Sequence, residues 1–472
     1  MTSVVPIILA GGVGARLWPV SRKSCPKQFA ALIGGFSLFQ QSVLRVQGDG
    51  FVKPLIVTSE EYRFLVSQQL NDLGVDADIV LEPEGKNTAP AIISAAIIAQ
   101  KREIDPLLLV MPSDHHIPDT KVFEETVAEG IATAGRGGVV TFGVKPSRAE
   151  TGYGYIETLP EQNELCRPVK GFHEKPDYSL AVELYTSGLY LWNTGIFLFE
   201  AKTILALARR LQPQMLSFVV NAVENGGTDL GYFRISAAEW TLVKADSIDF
   251  AIMEKADNIF CINFRSEWSD LGDWLSIANL NMRDSDNNTF AMNTTGVDCK
   301  NTMLWSSTNK LHLAGLGLEN IVAVATDDAV LVAHADRLQE VRKVLTTLEL
   351  QKVPAATKNL KDCRPWGWFE SLLLMPSFQV KRLHIYPRST LSLQTHKYRA
   401  EHWVVVSGRA TVCKGEDMFA LESNESVYIE AGQKHRLANE TDEPLSVIEV
   451  QTGSYLGEDD IIRHEDVYHR SV

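Results

Sequence analysis

The chain has 472 residues, of which 45% are hydrophobic and 22% are charged. This length exceeds what one hydrophobic core usually serves, so we expect two or three domains, and no apolar run is long enough to span a membrane. The formal net charge of −14 argues against nucleic acid as a partner, because binding to a phosphate backbone generally relies on a broad basic surface. Small anionic substrates therefore have to be held by local cations and metal ions.

The cysteines and the N-terminal residues indicate the compartment. Six cysteines are scattered without CxxC spacing, which argues against a disulfide framework or a zinc ribbon. The apolar run Val4–Leu9 has no basic region before it and leads straight into a glycine-rich turn. This pattern is typical of a first β-strand and not of a signal peptide. We expect a cytoplasmic protein that does not bind a membrane.

Hydrophobic periodicity changes along the chain. Up to about residue 280, short apolar runs alternate with helical patterns, which predicts βαβ units around a mostly parallel sheet. Between about 288 and 335 the segments are rich in Asn, Thr, Gly and Val, which is typical of small strands with tight turns. A connecting helix is predicted over 336–349. From about Arg364 an alternation of period two predicts a small β-barrel or jelly roll.

The loop after the first strand is suited to holding phosphates. Gly11, Gly12 and Gly14 let backbone N–H groups approach an anion closely and adopt positive φ. Arg16 and Lys27 can place positive charge on the same phosphate group. The loop lacks the third small residue of a dinucleotide fingerprint and the Gly-Lys-Ser/Thr of a Walker loop. A structural turn alone would explain the glycines but not both cations, so the sequence predicts a different kind of phosphate loop.

The complete segment, AGGVGARLWPVSRKSCPKQF, resembles the signature of sugar-nucleotide pyrophosphorylases, and specifically of mannose-1-phosphate guanylyltransferases with a long, two-part chain. The resemblance implies an α/β fold with a Rossmann-like nucleotidyltransferase domain over 1–285, a short left-handed β-helix segment with its connecting helix over 286–349, and a C-terminal cupin β-barrel over 350–472. It also implies synthesis of GDP-mannose and pyrophosphate from GTP and mannose 1-phosphate. The plain interpretation of the β-helix segment is a spacer or oligomer contact without chemistry.

Two aspartates are candidates for holding Mg²⁺. Nucleotidyl transfer needs a cation that bridges the triphosphate and the nucleophile, and positive charge that stabilises the departing pyrophosphate. Asp114 follows a buried strand, and Asp270 lies in the segment WSDLGDW. Each alone is typical of a cap or turn, but both segments resemble motifs of the family, so we assign the pair to Mg²⁺. We interpret the nearby His115, His116 and Asp273 as hydrogen-bonded loop residues.

Further resemblances imply the substrate contacts. The segment EPEGKNTAPA at 82–91 resembles a family motif whose polar members face guanine and ribose, with a lysine in place of the usual arginine. The same residues can cap the helix that starts near Ala89, and both interpretations can hold together. The segments GYGYI, FHEKP, WNTG and SIDFAIMEK resemble the sugar-1-phosphate side of the pocket. The resemblance assigns the nucleotide to Gly11, Gly12, Gly14, Glu82, Lys86, Asn87, Thr88 and Asp114, the sugar phosphate to Tyr153, Gly154, Glu174, Lys175, Asn193 and Asp249, and catalysis to Arg16, Lys27 and Lys175.

Two C-terminal segments, QTHKYRAEHW and GQKHRLAN, resemble the paired motifs of cupins, whose side chains converge inside the barrel. The set Gln394, His396, Glu401 and His435 matches the ligand types of phosphomannose isomerases and suits Zn²⁺ or another divalent metal. Isomerisation of mannose 6-phosphate moves a proton between adjacent carbons, which calls for a metal that polarises the carbonyl.

Either Arg399 or Arg436 can hold the phosphate or stabilise the enediolate of this isomerisation, and no residue is identifiable as the base. Two departures from the family pattern keep alternatives open: Lys397 and Tyr398 stand in place of a His-rich run, and Glu430 replaces a proline. The cupin domain can instead be structural or sugar-sensing beside an active guanylyltransferase. A regulatory protein without catalysis is a further alternative, although the retained cations and aspartates count against it. The sequence leaves open whether the chain forms a homo-oligomer.

Overall fold

The computed structural model describes residues 3–12, 14–102, 105–159 and 165–468, which divide between two compact units with the boundary between Thr357 and Lys358. None of the helices in these ranges combines the length and the apolar character needed to cross a membrane.

The first unit begins with a mixed α/β region. Its strands β1 to β11 are Val4–Leu9, Leu55–Ser59, Asp78–Glu82, Leu107–Pro112, Val139–Val144, Tyr155–Thr158, Cys166–His173, Tyr190–Glu200, Gly227–Asp229, Tyr232–Arg234 and Ile259–Asn263. Its helices α1 to α10 are Leu38–Leu44, Arg63–Leu73, Thr88–Gln100, Thr120–Ala134, Tyr178–Ser187, Ala201–Leu211, Pro213–Glu224, Ala237–Trp240, Ile248–Ala251 and Trp274–Leu280. Short 3₁₀ turns cover Ala15–Leu17, Lys27–Phe29, Glu60–Tyr62 and Met253–Lys255.

The eleven strands form one sheet in the order β5-β11-β7-β6-β8-β4-β1-β2-β3-β10-β9. The central strands β3, β2, β1 and β4 are mutually parallel, as the alternating pattern predicts, whereas β8 joins β4 in the antiparallel sense. Parallel strands present their carboxyl ends at one edge, where ligands of open α/β sheets bind. The loops after β1 and β4 both start from that edge.

Hydrophobic clusters cover both faces of this sheet. Alternate residues of β1 point to opposite sides, so Ile7 joins one cluster while Val4 and Ile8 join the other. The helix α3 is apolar on nearly every side, a pattern typical of a buried helix, and it packs against α6 and α7. The core therefore holds β1 and β4 rigidly, which fixes the loops that follow them.

A small β-helix follows. Its strands β12 to β17 are Thr289–Phe290, Thr294–Val297, Met303–Ser306, Leu313–Leu316, Ile321–Ala325 and Val330–His334, and they lead through the 3₁₀ turn Ala335–Glu340 into α11, Val341–Leu350. The strands β12, β14 and β16 stack in parallel, and β13 and β15 do the same. Asn287, Asn301 and Asn320 occupy successive corners with positive φ, and their side-chain amides hydrogen-bond from one corner to the next at 2.6 Å. Asparagine suits these corners because it tolerates the left-handed conformation.

The β-helix is joined to the start of the chain by a shared core and an ion pair. Trp18 and Trp274 belong to the same hydrophobic cluster as Trp305 of β14. The guanidinium of Arg22 forms a bidentate salt bridge with the Asp328 carboxylate, with N···O distances of 2.6 and 2.5 Å. The Arg22 side chain is buried and its charge needs a partner, so the contact with Asp328 holds the two segments together.

The second unit is an antiparallel β structure. Its strands β18 to β29 are Lys361–Arg364, Gly367–Leu374, Phe378–Ile385, Ser389–Thr390, Leu393–His396, Arg399–Ser407, Ala410–Lys414, Asp417–Leu421, Ser426–Ile429, His435–Asn439, Leu445–Gly453 and Ile461–Glu465. They form two sheets, β18-β19-β20-β28-β23-β26 and β25-β24-β27-β22-β29, with β21 attached to β27. One hydrophobic cluster combines residues of both sheets, including Trp403 of β23 and Leu437 of β27. Two sheets packed around one core agree with the predicted jelly roll.

Candidate active sites

The loop after β1 is shaped by two glycines with positive φ. Gly12 has a φ of 88° and Gly14 has a φ of 66°, a region that favours glycine. The Gln28 amide donates hydrogen bonds to the carbonyl oxygens of Gly11 and Gly12 at 3.3 and 3.1 Å. A Cβ atom on Gly14 would lie 2.6 Å from Cγ of Lys27, so glycine is needed for the Lys27 side chain to pass. The loop and Lys27 therefore depend on each other.

The Lys27 ammonium connects the two candidate aspartates. Its Nζ lies 2.7 Å from Oδ2 of Asp114 and donates a hydrogen bond of 2.6 Å to the backbone carbonyl of Asp270. Burial by itself would raise the pKa of Asp114, but the charge and hydrogen bond of Lys27, together with the other interactions of the carboxylate, outweigh burial and hold that pKa below its ordinary value. Asp114 follows β4 and Asp270 precedes α10, so segments distant in sequence meet at one cation.

Tyr153 orients the Asp270 carboxylate. Its hydroxyl donates a hydrogen bond of 2.5 Å to Oδ1, and the N–H of Gly272 donates to the same oxygen at 3.1 Å. The Tyr153 ring packs against Trp192 and Trp268 with centroid separations of 5.1 Å. Burial, together with the Asp270 charge, raises the pKa of Tyr153, so the hydroxyl stays protonated and remains a donor.

The neighbouring polar residues have structural partners, as the sequence predicts. The indole N–H of Trp268 donates to Nδ1 of His115 at 3.2 Å, and Nδ1 of His116 lies 3.4 Å from Oε1 of Gln41. Asp273 caps α10 by accepting a hydrogen bond of 2.9 Å from a backbone N–H.

These groups open onto one cavity of about 690 Å³, a volume typical of sites for small molecules. The structure therefore brings the phosphate loop, the aspartate pair and part of the predicted sugar side together. The predicted site residues that line the cavity are Gly12, Gly14, Arg16, Lys27, Asp114, Tyr153, Lys175 and Asp270.

Lys175 lines the cavity and also contacts Glu174, one of the other predicted sugar-phosphate residues. This residue pairs with Glu174 at 2.7 Å and has a φ of 46°, which is uncommon outside glycine and recurs at functional sites. A Cβ atom on Gly154 would lie 2.5 Å from a carboxylate oxygen of Glu174, so glycine permits this approach. The Asn193 amide donates to Asp249 at 2.9 Å. Burial and the charge of Glu174 raise the pKa of Asp249 to about 7.

The segment predicted to face guanine and ribose caps α3. The side chain of Asn87 accepts a hydrogen bond from the N–H of Thr88 at 2.8 Å, and the Thr88 hydroxyl accepts one from the N–H of Ile248 at 2.8 Å. Lys86 pairs with Glu84 at 2.5 Å. The capping interpretation is confirmed. Among the described residues of 82–88, none lines this cavity, so the assignment of this segment to the nucleotide stays a prediction.

Glu82 is a buried carboxyl group at the end of β3. Its side chain is 5% exposed, and its Oε1 has no hydrogen-bond partner within the described ranges. Burial raises the pKa of Glu82 from an ordinary value of 4.5 to about 8. The group is therefore largely protonated at neutral pH in this structure.

The second unit contains a compact group of candidate metal ligands. His396 Nε2 lies 3.1 Å from Oε1 of Glu401, and His435 Nε2 lies 3.6 Å from Oε2 of the same carboxylate. Their ligand atoms all lie within 4.8 Å of one another, and each of these residues is buried. Among the residues that the structure describes, no other group of three or more His, Cys, Asp or Glu meets this spacing.

The backbone sets the tautomer of His435. Its Nδ1 lies 2.8 Å from the carbonyl oxygen of Gln433, and a carbonyl only accepts, so Nδ1 carries the proton. The Nε2 atom then offers its lone pair toward Glu401 and has no hydrogen-bond partner within the described ranges. Burial lowers the pKa of His435, which favours this neutral form. A neutral imidazole oriented through its other nitrogen is the usual form of a metal ligand.

Glu401 is held ionised by its surroundings. Burial would raise its pKa, but the hydrogen bond with His396 and the positive charges nearby hold the pKa well below its usual range. Arg399 Nε donates to Oε1 at 3.2 Å, and the indole of Trp403 donates to Oε2 at 3.1 Å. Gln451 donates to Oε1 at 3.2 Å. The carboxylate is therefore fixed from several sides.

The structure separates the two predicted arginines. Arg399 lies on the same face of β23 as Glu401 and contacts it. Arg436 follows His435 directly on β27, so its side chain points to the opposite face, where it pairs with Glu465 at 3.2 Å. Arg436 is therefore not brought to the ligand group. Gln394 is brought there: its Nε2 lies 3.5 Å from Nε2 of His396, while its Oε1 accepts a hydrogen bond from Ser392 at 3.0 Å.

Family models match three consecutive parts of the chain. A family model described as nucleotidyl transferase matches residues 5–287. The chain belongs to the nucleotidyl transferase family. A model described as MannoseP isomerase/GMP-like beta-helix domain matches residues 292–348, and one described as Mannose-6-phosphate isomerase C-terminal matches residues 353–466. The predicted resemblance and fold class are thereby confirmed.

Relatives of this nucleotidyl transferase extend over its whole length. It is 45% identical over 472 residues to the xanthan biosynthesis protein XanB of Xanthomonas campestris pv. campestris, with 100% of both chains covered. It is 39% identical to a mannose-1-phosphate guanylyltransferase of Salmonella muenchen, with 98% of both chains covered. Among solved structures, one described as mannose-1-phosphate geranyltransferase from Thermus thermophilus matches with a TM-score of 0.65 and 29% identity, covering 74% of this chain and 100% of that one.

Several residues of these sites were not predicted. Arg22 lies in the N-terminal signature, but the structure shows it holding the β-helix through Asp328. Trp403 and Gln451 donate hydrogen bonds to the Glu401 carboxylate, and both also donate to the buried Glu449. Strand alternation could have identified Trp403, because it shares a face of β23 with Glu401. Glu449 and Gln451 become visible only once β28 is paired with β23.

Replacing Glu82 with Gln should make unfolding less dependent on pH. Because the folded pKa of about 8 exceeds the ordinary value of 4.5, the protonated carboxyl contributes stability that is present below pH 4.5 and is lost as the pH rises through 8. Glutamine does not titrate, so the melting temperature of Glu82→Gln relative to wild type should rise between pH 5 and pH 8, by roughly 3 °C or more. Thermal unfolding across this range measures it, with Glu61→Gln as an exposed control. Parallel curves for wild type and Glu82→Gln would contradict the assignment.

Proposed function

We propose that the chain makes GDP-mannose and pyrophosphate from GTP and mannose 1-phosphate, and that its C-terminal unit interconverts mannose 6-phosphate and fructose 6-phosphate. The observation that carries the first activity is Lys27, which connects Asp114 and Asp270 in a cavity that Arg16 and Lys175 also line. Phosphoryl chemistry depends on positioned cations and carboxylates of this kind. The name of the Salmonella relative supports guanine and mannose as the base and sugar.

The residues of the first site divide between binding and charge compensation. Lys27 and Arg16 compensate charge on the triphosphate, and Lys175 does so on the phosphate of the attacking sugar. Asp114 and Asp270 fit Mg²⁺, which usually takes one or two carboxylates together with substrate oxygens. When bound, that ion would compensate negative charge on the reacting phosphates. Tyr153 keeps the Asp270 carboxylate in one orientation.

The second activity depends on His396, Glu401 and His435. Their donor set fits Zn²⁺ or another divalent ion, and the unpartnered Nε2 of His435 supports this fit. When bound, the ion would polarise the sugar carbonyl. Arg399 lines the same pocket as Glu401 and is the cation placed to hold a negatively charged oxygen of the substrate.

One observation favours a second candidate for this unit. The cavity lined by Gln394, Arg399 and Glu401 has a volume of about 40 Å³, far below the size of a typical ligand site. A hexose phosphate needs the barrel to open. In the second candidate the cupin-type barrel holds a metal but does not turn over sugar phosphate, and guanylyl transfer is the sole activity.

Replacing Lys27 with Ala should lower guanylyl transfer by about 10²-fold or more, because the variant loses the charge that connects both aspartates and the phosphates. The measurement is pyrophosphate release from GTP and mannose 1-phosphate with Mg²⁺, repeated with ATP, CTP and UTP to test the base. Lys23→Ala is the matched control, since Lys23 is exposed and does not line the cavity. Near-wild-type release by Lys27→Ala would remove the assignment.

Replacing His435 with Ala should remove both the bound divalent metal and the isomerase activity, because the loss of one ligand leaves a poorly held ion. Elemental analysis and a coupled isomerase assay on the full chain measure the two properties. His402→Ala serves as the control, because His402 is an exposed histidine on the same strand as Glu401. Metal without turnover in the wild type would favour the second candidate, and wild-type metal content in His435→Ala would refute the ligand set. Guanylyl transfer should persist in both variants.

A further inference from the structure

Five cations line the 690 Å³ cavity, and three of them already have carboxylate partners. Lys27 pairs with Asp114 at 2.7 Å, Arg148 with Glu150 at 2.9 Å and Lys175 with Glu174 at 2.7 Å. The remaining two are Arg16 and Arg342. Within the described ranges neither guanidinium takes part in an ion pair or a side-chain hydrogen bond, so the positive charge of both is available to a ligand. Arg16 belongs to the predicted phosphate loop, whereas Arg342 belongs to no motif of the sequence.

Arg342 comes from the end of the β-helix segment. It is the second residue of α11, which packs against the 3₁₀ turn Ala15–Leu17 that carries Arg16. One turn earlier, Gln339 donates a hydrogen bond of 2.6 Å to Oδ2 of Asp273, the residue that caps α10. The two arginines without a carboxylate partner among the described residues, Arg16 and Arg342, therefore lie on elements that pack together, and both line the cavity.

This attachment is supported from both sides of α11. Before the helix, Asp328 holds the buried guanidinium of Arg22. After the helix, the carbonyl oxygen of Ala355 accepts a hydrogen bond of 2.9 Å from the Trp18 indole. Both partners, Arg22 and Trp18, follow the phosphate loop directly. The position of Arg342 relative to the loop is therefore built into the fold and is not a chance result of an exposed side chain.

We propose that Arg342 binds the β- and γ-phosphates of GTP and the pyrophosphate that departs, so that the β-helix segment contributes directly to the transferase site. This inference rests on the proposed guanylyl transfer. As the bond to the α-phosphorus breaks, negative charge develops on the oxygen that leaves with pyrophosphate. A guanidinium binds phosphate oxygens through bidentate hydrogen bonds. Arg342 lies with the loop and Arg16, whereas Glu174, Asn193 and Asp249 form the sugar side. Its contribution should therefore fall on the triphosphate and not on the sugar.

The test compares Arg342→Ala and Arg342→Lys with Lys343→Ala in the full chain. Lys343 is the next residue, is exposed and pairs with Glu340 at 2.8 Å, so its replacement removes the same charge outside the cavity. Arg342→Ala should raise the KM for GTP, and for pyrophosphate in the reverse reaction with GDP-mannose, by roughly tenfold or more. The KM values for mannose 1-phosphate and GDP-mannose should stay near those of the wild type. Arg342→Lys should fall between, because it keeps the charge but loses the planar fork.

Calorimetric titration with magnesium pyrophosphate gives a readout that does not depend on turnover, and weaker binding by Arg342→Ala alone is expected. If Arg342→Ala binds pyrophosphate and turns over like Lys343→Ala, the inference is wrong while guanylyl transfer stands. An equal increase in the KM for mannose 1-phosphate would also overturn it, since the effect would not be specific to the leaving group. A wild type that releases no pyrophosphate from GTP and mannose 1-phosphate would overturn the proposed function itself.

Discussion

Lys27 reaches Asp114 and Asp270 because Gly14 has no side chain in its path. A Cβ atom on Gly14 would lie 2.6 Å from Cγ and 2.9 Å from Cδ of Lys27. The same glycine has a φ of 66°, which a residue with a Cβ atom adopts only with strain. Two requirements therefore fall on one residue, the path of the loop and the path of the cation. The arrangement of the transferase site follows from it, since Lys27 is the group that both aspartates contact.

The β-helix segment is part of the same mechanical unit. Arg22, Trp18 and Trp274 tie it to the signature segment through an ion pair and a shared core. A spacer would need only a covalent connection, whereas these contacts fix the orientation of α11 against the loop. A spacer would also not account for Gln339 and Arg342, which line the cavity. Its Asn-rich corners explain the composition, and Arg342 explains why the orientation matters for phosphate binding.

The sequence was informative where local chemistry determines the structure. The glycine spacing, the two cations and the cupin-like histidines all lie in short segments. Few other structures require these residue types at this spacing. Strand alternation also contained more than we extracted, because His435 and Arg436 are neighbours on a strand and cannot both face the barrel interior. Arg399 and Glu401 are two residues apart on one strand and therefore lie on the same face. This spacing alone distinguishes Arg399 from Arg436.

Other features depend on contacts between distant segments, which no local pattern contains. The partner of Arg22 lies 306 positions away, and Arg342 meets the loop only after the β-helix has folded. The raised pKa of Glu82 likewise depends on what surrounds its carboxyl group and not on the residues beside it. Such effects require the assembled core.

Replacing Gly14 with Ala tests the dependence of Lys27 on this glycine most directly. The account predicts that guanylyl transfer by Gly14→Ala falls by about 10²-fold, because a displacement of the cation by an ångström is enough to cost that much. Gly35→Ala is the control, since no atom lies within 4 Å of a Cβ there and the loop is exposed. The isomerase activity and the unfolding temperature of the second unit should be the same in both variants. Wild-type rates of guanylyl transfer in Gly14→Ala would contradict the account.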